Sequence, residues 1–156
     1  WSAGGGRSLY CVERWQRPTG LRIFVACRWV KETLLATLLL IHDRLATTVL
    51  LFMLAVGLWG LLSFVRGESL SGSLAGALVI GQGLIAVQVL FGILLLAKGA
   101  RAASSVHYLY GATAVLVMPF VWSYVRDRHP RQALLFYSLV SLFIVGLAIR
   151  GMTTAH

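Results

Sequence analysis

Charged residues drop out of the chain over four long runs, and these runs organise everything else. From Leu45 to Val65 there is none, and the same holds from Ser69 to Ala97, from Ala102 to Val125 and from Gln132 to Ile149. Each run can supply the roughly 20 residues that cross a hydrocarbon layer of about 30 Å, although the last is the shortest. In lipid the backbone has no water to bond to, so such runs must be helices, and the strict alternation of a membrane β-barrel is absent. Spans are therefore expected at about 45–65, 73–97, 105–125 and 133–149. Residues 42–156 are read as one transmembrane domain, an all-α, antiparallel up-and-down four-helix bundle.

The breaks between runs are short and basic. Arg66, Gly67 and Glu68 form the first turn, Lys98, Gly99 and Arg101 close the second span, and Arg126, Asp127, Arg128, His129, Pro130 and Arg131 make the third turn. Pro119 lies inside the third span. Its ring removes the hydrogen bond to the Val115 carbonyl, which predicts a kink that a neighbouring helix can absorb.

Composition agrees with this pattern. Of 156 residues, 58% are hydrophobic and only 12% charged, far from the soluble average. The net charge of +9 raises the question of nucleic acid. The basic residues instead cap apolar runs or gather in the first 44 positions, and no basic face tracks a phosphate backbone, so nucleic acid is not expected as a partner. Residues 1–41 read differently from the rest, with early Gly and Pro and recurrent Arg. They are expected to be a basic segment outside any span, and one that need not belong to the native domain. With them, the membrane face shared by both termini carries ten Lys and Arg against four on the other; without them the count is four against four. Cys11 and Cys27 have neither CxxC spacing nor a nearby histidine, and read as spectator thiols.

Lipid gives helices no hydrophobic drive to associate, so small residues should mark the seams. The second span carries Gly72, Gly76 and Gly83 on one face and Gly81, Gln88 and Gly92 on another; both faces are expected to pack, with Gln82 and Gln88 bonding across them. Two histidines stand apart from this packing pattern. His42 precedes the first span and His107 opens the third, which in a four-span bundle puts both at one membrane face. If the helices extend that far, His42, Ala46, Val49 and Met53 form one stripe and His107, Gly111, Ala114 and Met118 another. Two neutral imidazoles on facing helices can ligate one haem iron, with small residues leaving room for a flat macrocycle. Interfacial histidines also sit at headgroup level with no ligand role. Asp43 can orient an imidazole or belong to a solvated turn with Arg44.

The run Ile41-His42-Asp43-Arg44-Leu45-Ala46, the later Gln88-Val89-Leu90-Phe91-Gly92 and His107 at the head of the following span resemble one half of the haem A synthase family, over roughly residues 42–125. More loosely, the chain is similar to four-helix b-type cytochromes. The resemblance implies a bis-histidine site of His42 and His107, with Gln88 in the helix between them and haem b as the cofactor. Three features differ from the family: Leu39 stands where it has a glutamate, Asp43 separates His42 from Arg44, and only one half is present. The resemblance therefore implies haem binding and does not extend to oxidation of a haem methyl group.

The five acidic residues, Glu13, Glu32, Asp43, Glu68 and Asp127, all lie outside the spans, which argues against proton-coupled transport, and no hydrolase constellation is present. Enzymatic activity is left open. Two functions remain. One is a helical accessory subunit of a larger membrane complex, respiratory or redox, with lipid and other membrane subunits as partners. The other is a haem-binding redox protein. The inner membrane of a bacterial cell is the expected location.

Overall fold

The protein is an all-α four-helix bundle. The computed structural model describes residues 20–155, and side chains over 30–154. Its helices are α1 (Gly20–Val65), α2 (Gly72–Ala97), α3 (Val106–Val125) and α4 (Pro130–Ala155), with no strand among the described residues. Residues 38–156 form one compact unit, which holds the bundle, and the residues up to Thr37 form another. Residues 1–19 of the basic segment, including Cys11, and the side chain of Cys27 lie outside what is described.

α1 begins well before the expected span, and its apolar part runs from Val30 to Val65. Helical hydrogen bonding does not stop where lipid does, and Arg, Lys, Glu and Leu are all good helix formers. α4 likewise extends past Arg150 to Ala155. All four helices are long and apolar enough to cross a bilayer. Large apolar side chains also cover their outer faces, among them Leu58, Val79, Leu109, Phe120 and Phe143. Helices apolar on both inner and outer faces have no stable place in water, so the protein is an integral, multi-pass membrane protein.

The two reversals around α2 are built alike. At the end of α1, Glu68 N–H donates to the Ser63 carbonyl and Gly67 N–H to Phe64, both at 3.0 Å; at the end of α2, Ala100 donates to Leu95 and Gly99 to Leu96, again at 3.0 Å. This is the Schellman arrangement, which needs a left-handed residue at its pivot, and Gly67 (φ 81°) and Gly99 (φ 89°) supply it. Ser71 caps the start of α2 by accepting from the Leu74 N–H at 3.3 Å. Pro130 opens α4, where a missing N–H costs nothing.

Each helix packs against its neighbours in chain order, and α4 closes the ring against α1. The core is drawn from all four: Val49, Met53 and Val56; Leu74, Leu78 and Ile85; Met118, Val121 and Val125; Leu134, Tyr137 and Ile144. Of the two glycine faces expected to pack on α2, one does. Gly81 and Gly92 lie against α1, where an added Cβ would come within 2.6 Å of Met53 Sδ and 3.3 Å of His42 Cε1 respectively. Gly72, Gly76 and Gly83 have nothing within 4 Å and face outward. The reason is helical phase. At about 100° per residue those three lie opposite Leu74, Leu78, Gly81 and Ile85, which point to the core. The tightest approach is elsewhere, between α1 and α4, where a Cβ on Gly60 would run into Ser138 Oγ and one on Gly57 would lie 2.9 Å from Leu142 Cδ2.

α3 stays helical through Pro119. The Val115 carbonyl, which loses its donor there, is taken by Gln82 Nε2 of α2 at 3.0 Å. Gln82 thus replaces from a neighbouring helix the bond that the proline ring removes. Gln82→Met is expected to destabilise the bundle by about 1 kcal/mol, the upper part of the range for such bonds in membranes. In a Pro119→Ala background, where residue 119 regains its N–H, the same change should cost much less. Equal losses in both backgrounds, measured as shifts in the SDS unfolding midpoint, would show that Gln82 does not serve this carbonyl.

Candidate functional site

At the end of the bundle away from the 66–71 and 126–129 turns, all four helices contribute one group to a common point. α1 and α3 stand diagonally across the bundle, and they carry the two histidines. The expected stripes hold: Val49 and Met53 on α1 and Met118 on α3 are buried, Ala46, Gly111 and Ala114 are partly so, and the two histidines continue these faces outward. The rings of His42 and His107 meet with centroids 6.2 Å apart and planes inclined by 59°. Both are half-buried.

The two rings are held differently. His107 Nδ1 lies 2.9 Å from the carbonyl oxygen of Gly151 on α4. A carbonyl can only accept, so Nδ1 carries the proton and, in the neutral ring, Nε2 keeps the lone pair. This is how a metal-ligating histidine is commonly oriented, with one nitrogen tied to backbone and the other left free. His42 Nε2 is 3.3 Å from Nε2 of Gln88 on α2. The amide NH2 donates to that ring nitrogen, which places the His42 proton on Nδ1. Gly92, one turn beyond Gln88, gives the ring room at Cε1.

Hydrogen bonding at this point is incomplete. Among the described residues, three buried side-chain polar atoms lack a partner, and two of them are here, His42 Nδ1 and Gln88 Oε1; the third is Gln82 Oε1. Buried polar atoms without a partner are costly, and unpaired ones at a helix seam can mark a ligand site.

The arrangement can be tested against a haem. The His107 ring has Nε2 left without a hydrogen bond among the described residues, and His42 Nε2 accepts from Gln88. A single metal ion shared by two imidazoles would set their centroids about 6 Å apart, from roughly 2 Å per metal–nitrogen bond and about an ångström from each nitrogen to its ring centre. The observed separation matches. Small residues line both stripes beyond the histidines, and ligation by His42 would displace its bond from Gln88. Two imidazoles at this spacing are the ligand pair that a haem iron would need. Among the described residues no cluster of three or more His, Cys, Asp or Glu side chains is present.

Of the residues singled out from the sequence, His42, His107, Gln88 and Gly92 come together. Asp43 is exposed and makes no hydrogen bond to either ring, so it acts on His42 through its charge alone, and the group that orients His107 is the Gly151 carbonyl. Gly151 had no sequence signal, because Arg150 marks the end of the apolar run and a backbone acceptor leaves no trace in residue type. No family model, no curated protein and no solved structure matches the chain.

Proposed function

We propose that this small integral membrane protein binds haem b between His42 and His107 and serves in one-electron transfer within the bilayer. The observation that carries the reading is the diagonal pair of imidazoles 6.2 Å apart, with His107 oriented by Gly151. The resemblance of Ile41–Ala46, Gln88–Gly92 and His107 to one half of the haem A synthase family supports it. A haem bound there would supply reversible one-electron chemistry. The chain's own residues would hold and orient the group: His107 through a fixed tautomer, His42 through a ring released from Gln88, and the apolar stripes below by excluding water. Leu39, in place of the family's glutamate, leaves no carboxylate one turn before His42, so the reading is binding and electron transfer and not methyl oxidation.

Protein purified from haem-replete cells, or titrated with haem in detergent, is expected to show a six-coordinate Soret band with sharp α and β bands on reduction. His107→Ala and His42→Ala should each abolish the low-spin spectrum while leaving the helical circular dichroism intact. Colourless wild-type protein that takes up no haem on titration ends the reading.

A second reading is favoured by one observation. Gly72, Gly76 and Gly83 share an outward face of α2 on which an added Cβ would meet nothing within 4 Å, a surface to which a helix of another membrane subunit can come close. In that role the protein is an accessory subunit of a larger respiratory or redox complex. Gly76→Leu should then release the protein from its complex on mild solubilisation without unfolding it. Unchanged co-purification of the variant removes this reading.

A further inference from the structure

A slot of about 410 Å³ lies between α2 and α3, in the half of the bundle away from the histidines. On α2 its wall is Ala75, Leu78, Val79 and Gln82, a spacing that sets side chains in one row along a helix. The row is about 10 Å long, from the rise of 1.5 Å per residue. Trp122 of α3 stands opposite, and Leu70 of the α1–α2 turn marks one end. The slot therefore runs lengthwise from the level of that turn inward, the direction in which lipid chains stand. Val79 and Trp122 on its edge are 73% and 58% exposed, so it opens to the bilayer. Its walls are mostly aliphatic and aromatic carbon, which an acyl chain satisfies by contact alone, whereas an empty slot forfeits those contacts.

Above the slot stands positive charge. Arg126 follows Trp122 by one turn: its N–H donates to the Trp122 carbonyl at 3.1 Å and its backbone is still helical (φ −55°, ψ −31°). The two side chains therefore leave the same face of α3, with Arg126 nearer the membrane surface. Arg126 pairs with Asp127 at 3.4 Å, and this pair is exposed (59% and 85%), hence weak and open to competition. Arg66, Arg128 and Arg131 stand at the same end of the bundle and have no carboxylate within ion-pair distance among the described residues. Glu68 and Asp127 are the acids there. An anionic headgroup at that level meets a surplus of cations, and arginine binds phosphate through paired N–H donors.

We propose that the slot holds one acyl chain of an anionic phospholipid from the leaflet on the side of the 66–71 turn, with Arg126 taking the headgroup phosphate. The lipid fills the gap that α2 and α3 leave between them beside Pro119. The site is independent of the histidine end and needs neither a haem nor a partner subunit.

The test uses the full-length protein in phosphatidylcholine vesicles, into which phosphatidylglycerol brominated on its acyl chains is titrated, with brominated phosphatidylcholine as the comparison. The readout is the part of the tryptophan fluorescence that Trp122→Phe removes. Half of the quenching is expected at a mole fraction about fivefold lower for the glycerol lipid, the gain from one arginine near the surface. Arg126→Gln should bring the two lipids level. Ala75→Phe, which fills the slot and leaves Arg126 in place, should do the same. Trp59, exposed on α1 and outside the slot, should be quenched equally by both lipids. Equal quenching of Trp122 by the two lipids in the wild type, a preference that survives either substitution, or the same preference at Trp59 would each overturn the proposal.

Discussion

Gly60→Leu is expected to cost the bundle about 3 kcal/mol or more, the upper end for overpacking a tight core. The side chain at this position would run into Ser138 Oγ of α4. Ser138 cannot swing aside cheaply, because its hydroxyl donates to the Leu134 carbonyl at 2.7 Å and Leu134 is fully buried. α1 must therefore move away from α4, and every contact along that seam loosens with it, including the one at Gly57. Gly76→Leu is the matched control. It makes the same chemical change on α2 where nothing lies within 4 Å, and should shift stability by no more than about 0.5 kcal/mol. The check is the SDS unfolding midpoint of both variants. Similar midpoints would mean that α1 and α4 do not approach as closely as described.

Met53→Ala is the second large effect. Met53 is fully buried, at the centre of the core, against Gly81 of α2. Lipid is as apolar as the core, so the loss is of packing contacts and not of burial from water, which sets the expected cost near about 2 kcal/mol, the low end for such truncations. The neighbouring glycine gives a sharper test. A Cβ on Gly81 would lie 2.6 Å from Met53 Sδ, so Gly81→Ala alone should be unfavourable despite alanine's better helix propensity. Once Met53 is shortened, the same Cβ fills vacated space. The double variant should be more stable than the sum of the singles by about 1 kcal/mol. Strict additivity would count against direct contact between these two positions.

The helices and the histidine pair were legible in the sequence for one reason: a bilayer leaves the chain few choices. Charge-free runs near 20 residues must become helices, and an even number of crossings between His42 and His107 brings both to one face. Pro119 was equally legible, since its missing N–H points to Val115, and Gln82 was expected to bond across a seam. Which glycine face packs inward was not legible. Gly72, Gly76 and Gly83 make as good a seam as Gly81 and Gly92, and the choice rests on where Leu74, Leu78 and Ile85 find partners. Lipid cannot make that choice, being indifferent to which apolar face it meets. The close α1–α4 approach had a fainter sign, paired small residues three apart on both helices, Gly57 with Gly60 and Ser138 with Ser141. Gly151 had none, because its part is played by a main-chain oxygen.

The two glycine-pivoted reversals bear on the order in which the histidine end comes together. Each is closed by bonds within half a dozen residues, so the α1–α2 and α2–α3 hairpins can fold back as soon as their own residues have entered the membrane. The His42–Gln88 contact belongs to the first hairpin and needs nothing made later. His107 is different: its ring is pinned only when residue 151 arrives, close to the last described residue. During synthesis one imidazole would therefore be held in readiness while the other stays unanchored until the fourth helix is in place, so that a nascent chain lacking α4 has only half of the clasp.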